Sequence, residues 1–311
     1  MEKEQMNEIQ PKTYYFMSGL PRAGSTLLSS ILNQNPRFYS GPSSPVVPTM
    51  VALESSLAQD ELYLAYPKQQ VAASMIASVL PQFYMDVNKP VIFDKNRSWV
   101  NRLHYITGYF GIEPKVLCPV RNIDEILASF IAMQRRNVYN GDGSKINFMD
   151  EMLIKSNIPL TDDNRCELLS HGQFGILGQS YNGIKQAIME GRQKSLHFIE
   201  YDDLLNNPED TMDKIYDFLG EEPFKHDFTQ IENIHRERDA EVYGMADMHD
   251  VRKTLGRRGI DPKEVLSEKI LQNCVNAEFW RTLDDEIPQE EFMPDIEAPK
   301  TTYEQTSIIG A

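Results

Sequence analysis

The stretch that most constrains the fold lies near the start of the chain, at residues 14–28. A short apolar run at residues 14–17 predicts a buried strand. Gly-Leu-Pro-Arg-Ala-Gly follows at residues 19–24 and predicts a tight loop, and apolar side chains spaced for one helix face come next. A strand, a glycine loop and a helix N-terminus bind phosphate well, because free backbone N–H groups and the helix dipole point at one place.

The loop from Gly19 to Thr26 keeps the spacing of the phosphate-binding motif G-x-x-x-x-G-K-[ST] with one departure. Ser25 stands where that motif has lysine, so the charge of a bound anion must be met by another cation. Arg22, inside the loop, is the nearest candidate. A plain turn would show the same glycines, but the position of the loop at the start of an α/β pattern favours an anion site.

Composition and charge narrow the class of protein. The 311 residues are 41% hydrophobic and 25% charged, as in ordinary globular domains. The net charge of −15 argues against general nucleic-acid binding, and no apolar run approaches the ~18 residues of a membrane span. Three scattered cysteines argue for a reducing compartment, and no Cys/His cluster has metal-ligand spacing. We therefore expect a cytoplasmic protein without a metal site, a nucleic-acid partner or a membrane partner.

Strands and helices alternate after the first loop. We predict strands at residues 91–95, 115–121 and 195–201, and helices from about residue 68, over residues 99–109, after Asn122 and over residues 208–219. The alternation predicts an α/β fold with a P-loop-like parallel sheet, covered by helices on both faces, and an irregular helical or loop insertion.

Three local details of this pattern can be tested. Residues 41–48 contain three prolines and predict a loop. Asn122 and Glu125 predict a capping box at a helix N-terminus. The helix from residue 68 is expected to bury Val71, Met75, Val79 and Leu80.

The chain divides into one domain and two tails. Residues 1–12 form a polar N-terminal tail, too polar for a signal peptide. Residues 13–281 form a single domain, and residues 282–311 form an acidic C-terminal tail.

Charged side chains follow three of the predicted strands. Arg22 comes just past the first strand, Asp94 and Lys95 end the second, and Arg121 follows the third. Ligands of parallel sheets bind at the carboxyl ends of the strands. Arg121 and Ser129, eight residues apart, suit a second phosphate, since a guanidinium makes bidentate contacts. The sequence therefore favours a ligand with two separated anionic groups.

These motifs resemble those of the sulfotransferases that use 3′-phosphoadenosine 5′-phosphosulfate (PAPS). Residues 19–28 are similar to the 5′-phosphosulfate loop of that family, and residues 120–129 to its 3′-phosphate motif. Residues 93–95 resemble the segment that carries the active-site lysine, and residues 201–204 resemble a tyrosine-acid segment before a late helix. The first loop is most similar to the bacterial and tyrosylprotein-type branch.

The resemblance implies transfer of a sulfuryl group from PAPS to a hydroxyl or amine, without metal and with 3′-phosphoadenosine 5′-phosphate (PAP) as product. It implies that Arg22 and Lys95 are catalytic. It also implies a cofactor site formed by Arg22, Ala23, Gly24, Ser25, Thr26, Arg121, Ser129 and Tyr201. The acceptor, a small molecule or a peptide, stays open, as does the oligomeric state.

The general base is not identified by these motifs. The positions where branches of the family carry a glutamate or a histidine hold Ser43 and Arg97. Asp94, Glu54 and His104 are candidates, although a structural role suits each of them better.

Two further regions bear on the ligands. A late basic segment suits the 3′-phosphate or a solvated loop, and its candidates are Arg252, Lys253, Arg257 and Arg258. Acceptor specificity is expected in the irregular residues 41–66 and 132–180. The apolar candidates for an acceptor pocket are Met133, Tyr139, Phe148, Met149 and Met152.

Two alternatives remain open at this point. In a P-loop kinase or NTPase, Thr26 would hold Mg²⁺ and Asp94 would be the aspartate of the second motif, but Ser25 in place of lysine weighs against this. A degenerate protein that binds a nucleotide without turnover would account for the missing base.

Overall fold

The computed structural model describes residues 12–138, 145–257 and 260–283. Almost all of both predicted tails lies outside the described residues, as do Tyr139 and Arg258. The predicted domain boundaries therefore stay a prediction.

Five parallel strands form one sheet within the described residues. They are β1 Thr13–Met17, β2 Phe38–Ser43, β3 Val91–Lys95, β4 Val116–Val120 and β5 Leu196–Glu200. The strand order is β2-β3-β1-β4-β5, so β1 lies between β3 and β4. Met17 pairs with Lys95 on one side and with Leu117 on the other. This register brings the carboxyl ends of three strands together at one edge of the sheet.

The helices occupy most of the rest of the described chain. They are α1 Ser25–Leu32, α2 Val46–Gln59, α3 Glu61–Ala65, α4 Gln69–Phe83, α5 Leu103–Phe110, α6 Ile123–Arg136, α7 Phe148–Lys155, α8 Asp162–Ser170, α9 Ile176–Met189, α10 Tyr201–Asn206, α11 Pro208–Leu219, α12 Asp239–Tyr243, α13 Pro262–Val265 and α14 Glu268–Asn273. Short 3₁₀ turns cover Arg97–Arg102, Gln193–Ser195 and Phe279–Arg281. None of the helices in the described ranges is long and apolar enough to span a bilayer.

The sheet buries side chains on both faces. Along β1, Tyr15 and Met17 pack with α1 and α11, whereas Phe16 points to the opposite face and contacts Trp99 at a ring distance of 4.5 Å. Strands covered on both faces are the hallmark of parallel α/β sheets. The predicted fold class is confirmed.

The prediction of a loop at residues 41–48 is wrong. The first half of this stretch belongs to the edge strand β2, and its second half begins α2. Pro42 is tolerated because it lies at an edge strand, in an irregular stretch of pairing between Ser40 and Ser43. Pro48 is tolerated because it lies in the first turn of α2, where backbone N–H groups have no partner inside the helix.

The buried face predicted for the helix that starts near residue 68 is also wrong in part. On α4, the side chains of Ala72, Ile76 and Leu80 face the protein core. Val71 is 53% exposed and Met75 is 47% exposed. The buried side chains of α4 repeat every four residues and include the small Ala72. Val71 and Met75 lie one position earlier with the same spacing, so the sequence pattern favoured the wrong face of the helix.

Asn122 and Glu125 contact each other, but they do not form the predicted capping box. The Asn122 amide donates to the Glu125 carboxylate at 3.0 Å instead of accepting a backbone N–H of α6. The Glu125 carboxylate also accepts hydrogen bonds from Arg121 and Arg257 at the same edge of the sheet.

A buried ion pair holds the insertion between β4 and β5 in place. The Arg165 side chain on α8 donates to the Asp150 carboxylate on α7 at 2.6 Å, and the two side chains are 8% and 6% exposed. Asp150 also accepts from Gln134 on α6 at 3.2 Å and from Asn147 at 2.8 Å. The three helices α6, α7 and α8 are therefore joined through one carboxylate.

We expect Asp150→Ala to lower the free energy of unfolding by about 3 kcal/mol, the low end for a broken buried ion pair, because Arg165 loses its buried partner and keeps only the partly exposed Asp162. Denaturant titration followed by circular dichroism measures the change. The control is Glu151→Ala on the same helix, whose pair with Lys155 is exposed and is worth at most about 0.5 kcal/mol. Equal stability of the two variants would contradict this account of the insertion.

Candidate active site

A cavity of about 1320 Å³ opens at the carboxyl ends of β1, β3 and β4. Its wall contains most of the predicted site residues: Arg22, Gly24, Ser25, Thr26, Lys95, Arg121, Ser129 and Tyr201. Ala23 differs, because its side chain is buried in the core and only its backbone belongs to the loop. Residues far apart in the sequence are thus brought to one place.

Two glycines allow the loop to lie close to its neighbours. A Cβ atom on Gly19 would lie 2.2 Å from the carbonyl oxygen of Pro119, next to the end of β4. Gly24 has a φ of 86°, and a Cβ atom there would lie 2.8 Å from the ring of Tyr201. Helix α1 begins directly after Gly24 with no side-chain cap among the described residues, so its first backbone N–H groups are available to an anion.

Arg22 connects the loop to two other parts of the cavity wall. Its backbone has a φ of 58°, an uncommon value for a residue other than glycine. Its Nε donates to the Ser129 hydroxyl on α6 at 3.3 Å, and its Nη1 donates to the carbonyl oxygen of Met248. The arginine predicted for the phosphosulfate loop therefore also contacts the serine predicted for the second phosphate.

Arg121 is held from three sides. Its Nε donates to the Glu125 carboxylate at 2.9 Å, and its Nη1 donates to the carbonyl oxygen of Arg22 at 3.2 Å. Its guanidinium lies over the ring of Tyr201, 4.4 Å from the centroid, in a cation–π contact. The two predicted anion motifs are joined directly by this side chain.

Lys95 ends β3 and lies deep in the cavity wall, with only 5% of its surface exposed. Burial lowers the pKa of Lys95 to about 8, because the ammonium form loses its hydration. The carboxylates of Glu237 and Asp239 act in the opposite direction and favour the charged form.

None of the three base candidates taken from the sequence lies in the cavity wall. Asp94 is fully buried, and its carboxylate accepts from Trp99 at 2.5 Å and from Tyr84 at 2.8 Å. Burial raises the pKa of Asp94. Glu54 accepts hydrogen bonds from two tyrosines on α5, and His104 is exposed on the same helix. These residues have structural roles or lie on the surface.

A group of titratable residues that the sequence did not suggest lies in the cavity wall instead. His249 lines the cavity, and its Nδ1 lies 2.7 Å from the Asp239 carboxylate and 3.5 Å from the Glu237 carboxylate. Their ligand atoms lie within 4.8 Å of one another, so this trio is the one group of the described residues that could hold a metal ion. No signal marks it in the sequence, since residues 237–249 show no regular pattern.

The late basic segment reaches the same edge of the cavity. Arg252 lines the wall, and Arg257 donates to the Glu125 carboxylate at 2.5 Å and lies 3.2 Å from Asp202. The backbone carbonyl of Lys253 accepts from Ile231, and Lys253 lies outside the wall.

The apolar part of the wall comes largely from the insertion. Phe148 and Met152 on α7 line the cavity, together with Phe174 and Ile176 near the start of α9. Met133 and Met149 are buried in the core instead. Two of the apolar residues predicted for an acceptor pocket are therefore found in the cavity wall.

Comparisons with known proteins agree with these motifs. A profile described as "Sulfotransferase family" matches residues 15–226, about two thirds of the chain. No curated protein matches the sequence.

Three solved structures are similar to this chain. The mouse sulfotransferase SULT7A1 complexed with PAP is 12% identical over 88% of this chain and 85% of that one, with a TM-score of 0.49. The sulfotransferase STF9 from Mycobacterium avium is 14% identical over 89% of this chain and 76% of that one, with a TM-score of 0.46. The sulfotransferase domain of the Synechococcus PCC 7002 olefin synthase is 16% identical over 94% of each chain, with a TM-score of 0.42.

The family match also decides between the alternatives left open by the sequence. A Mg-ATP kinase is not favoured, and Asp94 is enclosed by Trp99 and Tyr84 instead of facing the cavity. By the match over residues 15–226, the chain belongs to the sulfotransferase family and is an enzyme of sulfuryl transfer.

Proposed function

We propose that this protein transfers a sulfuryl group from PAPS to the hydroxyl group of a small, largely apolar acceptor. The observation that carries the proposal is the direct contact between the two predicted anion motifs, Arg121 Nη1 to the Arg22 carbonyl oxygen at 3.2 Å. A donor with two separated anionic groups requires two cationic sites on one wall, and Lys95 lies on that same wall.

The donor is proposed to bind with its 5′-phosphosulfate at the first loop and its 3′-phosphate at α6. The backbone N–H groups of residues 24–26 and the guanidinium of Arg22 contact the phosphosulfate. Arg121 and Ser129 contact the 3′-phosphate, and Arg252 adds a further cation to the wall. The exposed face of Tyr201 contacts the nucleoside portion of the donor.

Catalysis depends on positioning and on neutralising charge. As the sulfuryl group leaves, negative charge builds up on the phosphate that remains with PAP. Arg22 and Lys95 meet that charge in a partly enclosed site, where electrostatic interactions are stronger than in water. A protonated Lys95 is required for this role.

The apolar wall supports an acceptor with a hydrophobic body. Phe148, Met152, Phe174 and Ile176 offer aromatic and flexible thioether surfaces, which suit a planar or alkyl group. Pro45 and Pro48 at the start of α2 extend this surface. Phenols and apolar alcohols are therefore the proposed acceptor class.

We expect PAP to bind in the presence of EDTA and expect Arg22→Ala and Arg121→Ala each to weaken binding about 10–100-fold, as loss of a charged hydrogen bond predicts. Isothermal titration calorimetry measures the affinity. The control is Arg135→Ala, whose side chain is half exposed and pairs with Asp162 outside the cavity wall. Absence of PAP binding, or ATP binding that requires Mg²⁺, would overturn the proposed donor.

We expect Lys95→Met to lower turnover of PAPS by about 10²-fold or more while PAP affinity changes little, since the ammonium acts mainly on the developing charge. In the unmodified enzyme, kcat/KM for PAPS should fall as pH rises through about 8, where Lys95 loses its proton. The corresponding fall in kcat should occur at higher pH, because the bound anionic donor favours the ammonium form of Lys95.

The probe acceptor for these profiles is 2-chloro-4-nitrophenol, which is already ionised well below neutral pH and adds no titration of its own near the alkaline limb. Lys95→Arg provides the matched variant, since it keeps its charge over this range and should lose the alkaline limb. A limb near pH 8 that persists in Lys95→Arg would show that another group titrates.

A further inference from the structure

His249 lines the same cavity as the two proposed catalytic cations, Arg22 and Lys95. It directly follows Met248, whose carbonyl oxygen accepts a hydrogen bond from Arg22. This contact ties the segment that carries His249 to the loop proposed to hold the phosphosulfate. His249 therefore directly follows a residue that is tied to the donor loop.

Asp239 holds the imidazole in one orientation. One carboxylate oxygen accepts from the backbone N–H of His249 at 2.8 Å, and the other lies 2.7 Å from Nδ1. A carboxylate favours a proton on the nitrogen that faces it, so the neutral ring carries its hydrogen on Nδ1. The lone pair of Nε2 is then free to accept a proton from a hydroxyl group.

The same carboxylates connect His249 to Lys95. Glu237 lies 3.5 Å from Nδ1 of His249, and both Glu237 and Asp239 favour the charged form of Lys95. Tyr243 also packs against the imidazole, with the two ring centroids 6.0 Å apart. Burial raises the pKa of Tyr243, so this phenol keeps its proton near neutral pH.

We propose that His249 is the general base of this enzyme and that Asp239 is its positioning residue, a role that rests on the proposed sulfuryl transfer from PAPS. The acceptor oxygen forms a bond to sulfur while the bond from sulfur to the bridging oxygen of the phosphosulfate breaks. The hydroxyl proton passes to Nε2 of His249. The electron pair of the broken bond leaves with the phosphate of PAP, so charge and atoms balance.

Other candidate bases are worse placed. His235 packs its ring against Tyr39 at 5.1 Å and lies outside the cavity wall. The nearby charge of Lys95 and burial both lower the pKa of His235, and burial is the larger cause. Ser43 and Arg97, at the two positions that the family resemblance indicates, line the cavity but are poor proton acceptors near neutral pH. The proposed base therefore lies on a different segment of the chain from these two positions.

The test compares two acceptors that differ in their need for a base. With 4-methylphenol, which is protonated at neutral pH, His249→Gln should lower kcat about 10²–10⁴-fold, the usual contribution of general base catalysis. With 4-nitrophenol, which is largely ionised at pH 8, the same variant should lose no more than about threefold, since no proton has to be removed. PAP affinity should stay within about threefold of the unmodified protein.

The separate effects on kcat and KM give a second readout. With 4-methylphenol, His249→Gln should lower kcat while KM for the phenol changes little, because the imidazole accepts the proton and does not hold the phenol. Asp239→Asn should lower kcat for 4-methylphenol by more than about tenfold with KM little changed, since an amide no longer fixes the tautomer. His104→Gln is the matched control, because this histidine is exposed outside the cavity.

The outcomes separate this proposal from the function on which it rests. If the unmodified protein neither binds PAP nor sulfates either phenol, the proposed function fails. If the unmodified protein binds PAP and sulfates the phenols, and His249→Gln loses turnover equally with both phenols, His249 is structural and not a base. If EDTA abolishes turnover and a divalent cation restores it, the trio of His249, Asp239 and Glu237 is a metal site, and the base assignment is overturned.

If His249→Gln does not fold, as judged by circular dichroism, His249→Asn and Asp239→Asn are tested by the same two-phenol comparison. A selective loss of 4-methylphenol turnover in either variant supports the base. An equal loss of both phenols refutes it.

Discussion

The Arg22 side chain is the contact on which the cavity depends. It lies in a loop that only a glycine-rich sequence can form, and it reaches both Ser129 on α6 and the Met248 carbonyl in a late, irregular segment. This guanidinium therefore joins two cavity walls that are distant in sequence. The same group therefore organises the site and supplies positive charge to it.

An acidic protein assembles a cationic site by pairing its cations with carboxylates of its own. Glu125 holds both Arg121 and Arg257, and Glu237 and Asp239 favour the charged form of buried Lys95. These carboxylates offset part of the desolvation of the cations. They also keep the cations oriented, so that less conformational entropy is lost when an anion binds.

The parts of the fold that the sequence predicted are those with strong local signals. The β3 strand, helix α11 and the loop at residues 19–24 follow from apolar periodicity, proline and glycine. The edge strand β2 and the start of α2 were missed because their prolines sit where the backbone needs no hydrogen-bond partner. His249 and Asp239 were missed because their pairing depends on tertiary folding of a segment without periodicity.

The ion pair between Asp150 and Arg165 separates two functions of α7. One face of this helix is fixed to its neighbours by the buried carboxylate, while Phe148 and Met152 on another face line the cavity. The proposed donor contacts come from α1 and α6, and of these two side chains Phe148 also packs on α6, where its ring lies 6.4 Å from that of Phe130. Because the donor contacts proposed for α1 and α6 do not include Met152, replacing this side chain is expected to change which acceptors are admitted while sparing the proposed donor site. In evolutionary terms, the cavity-facing surface of α7 is a variable part of the wall beside a constant reaction centre.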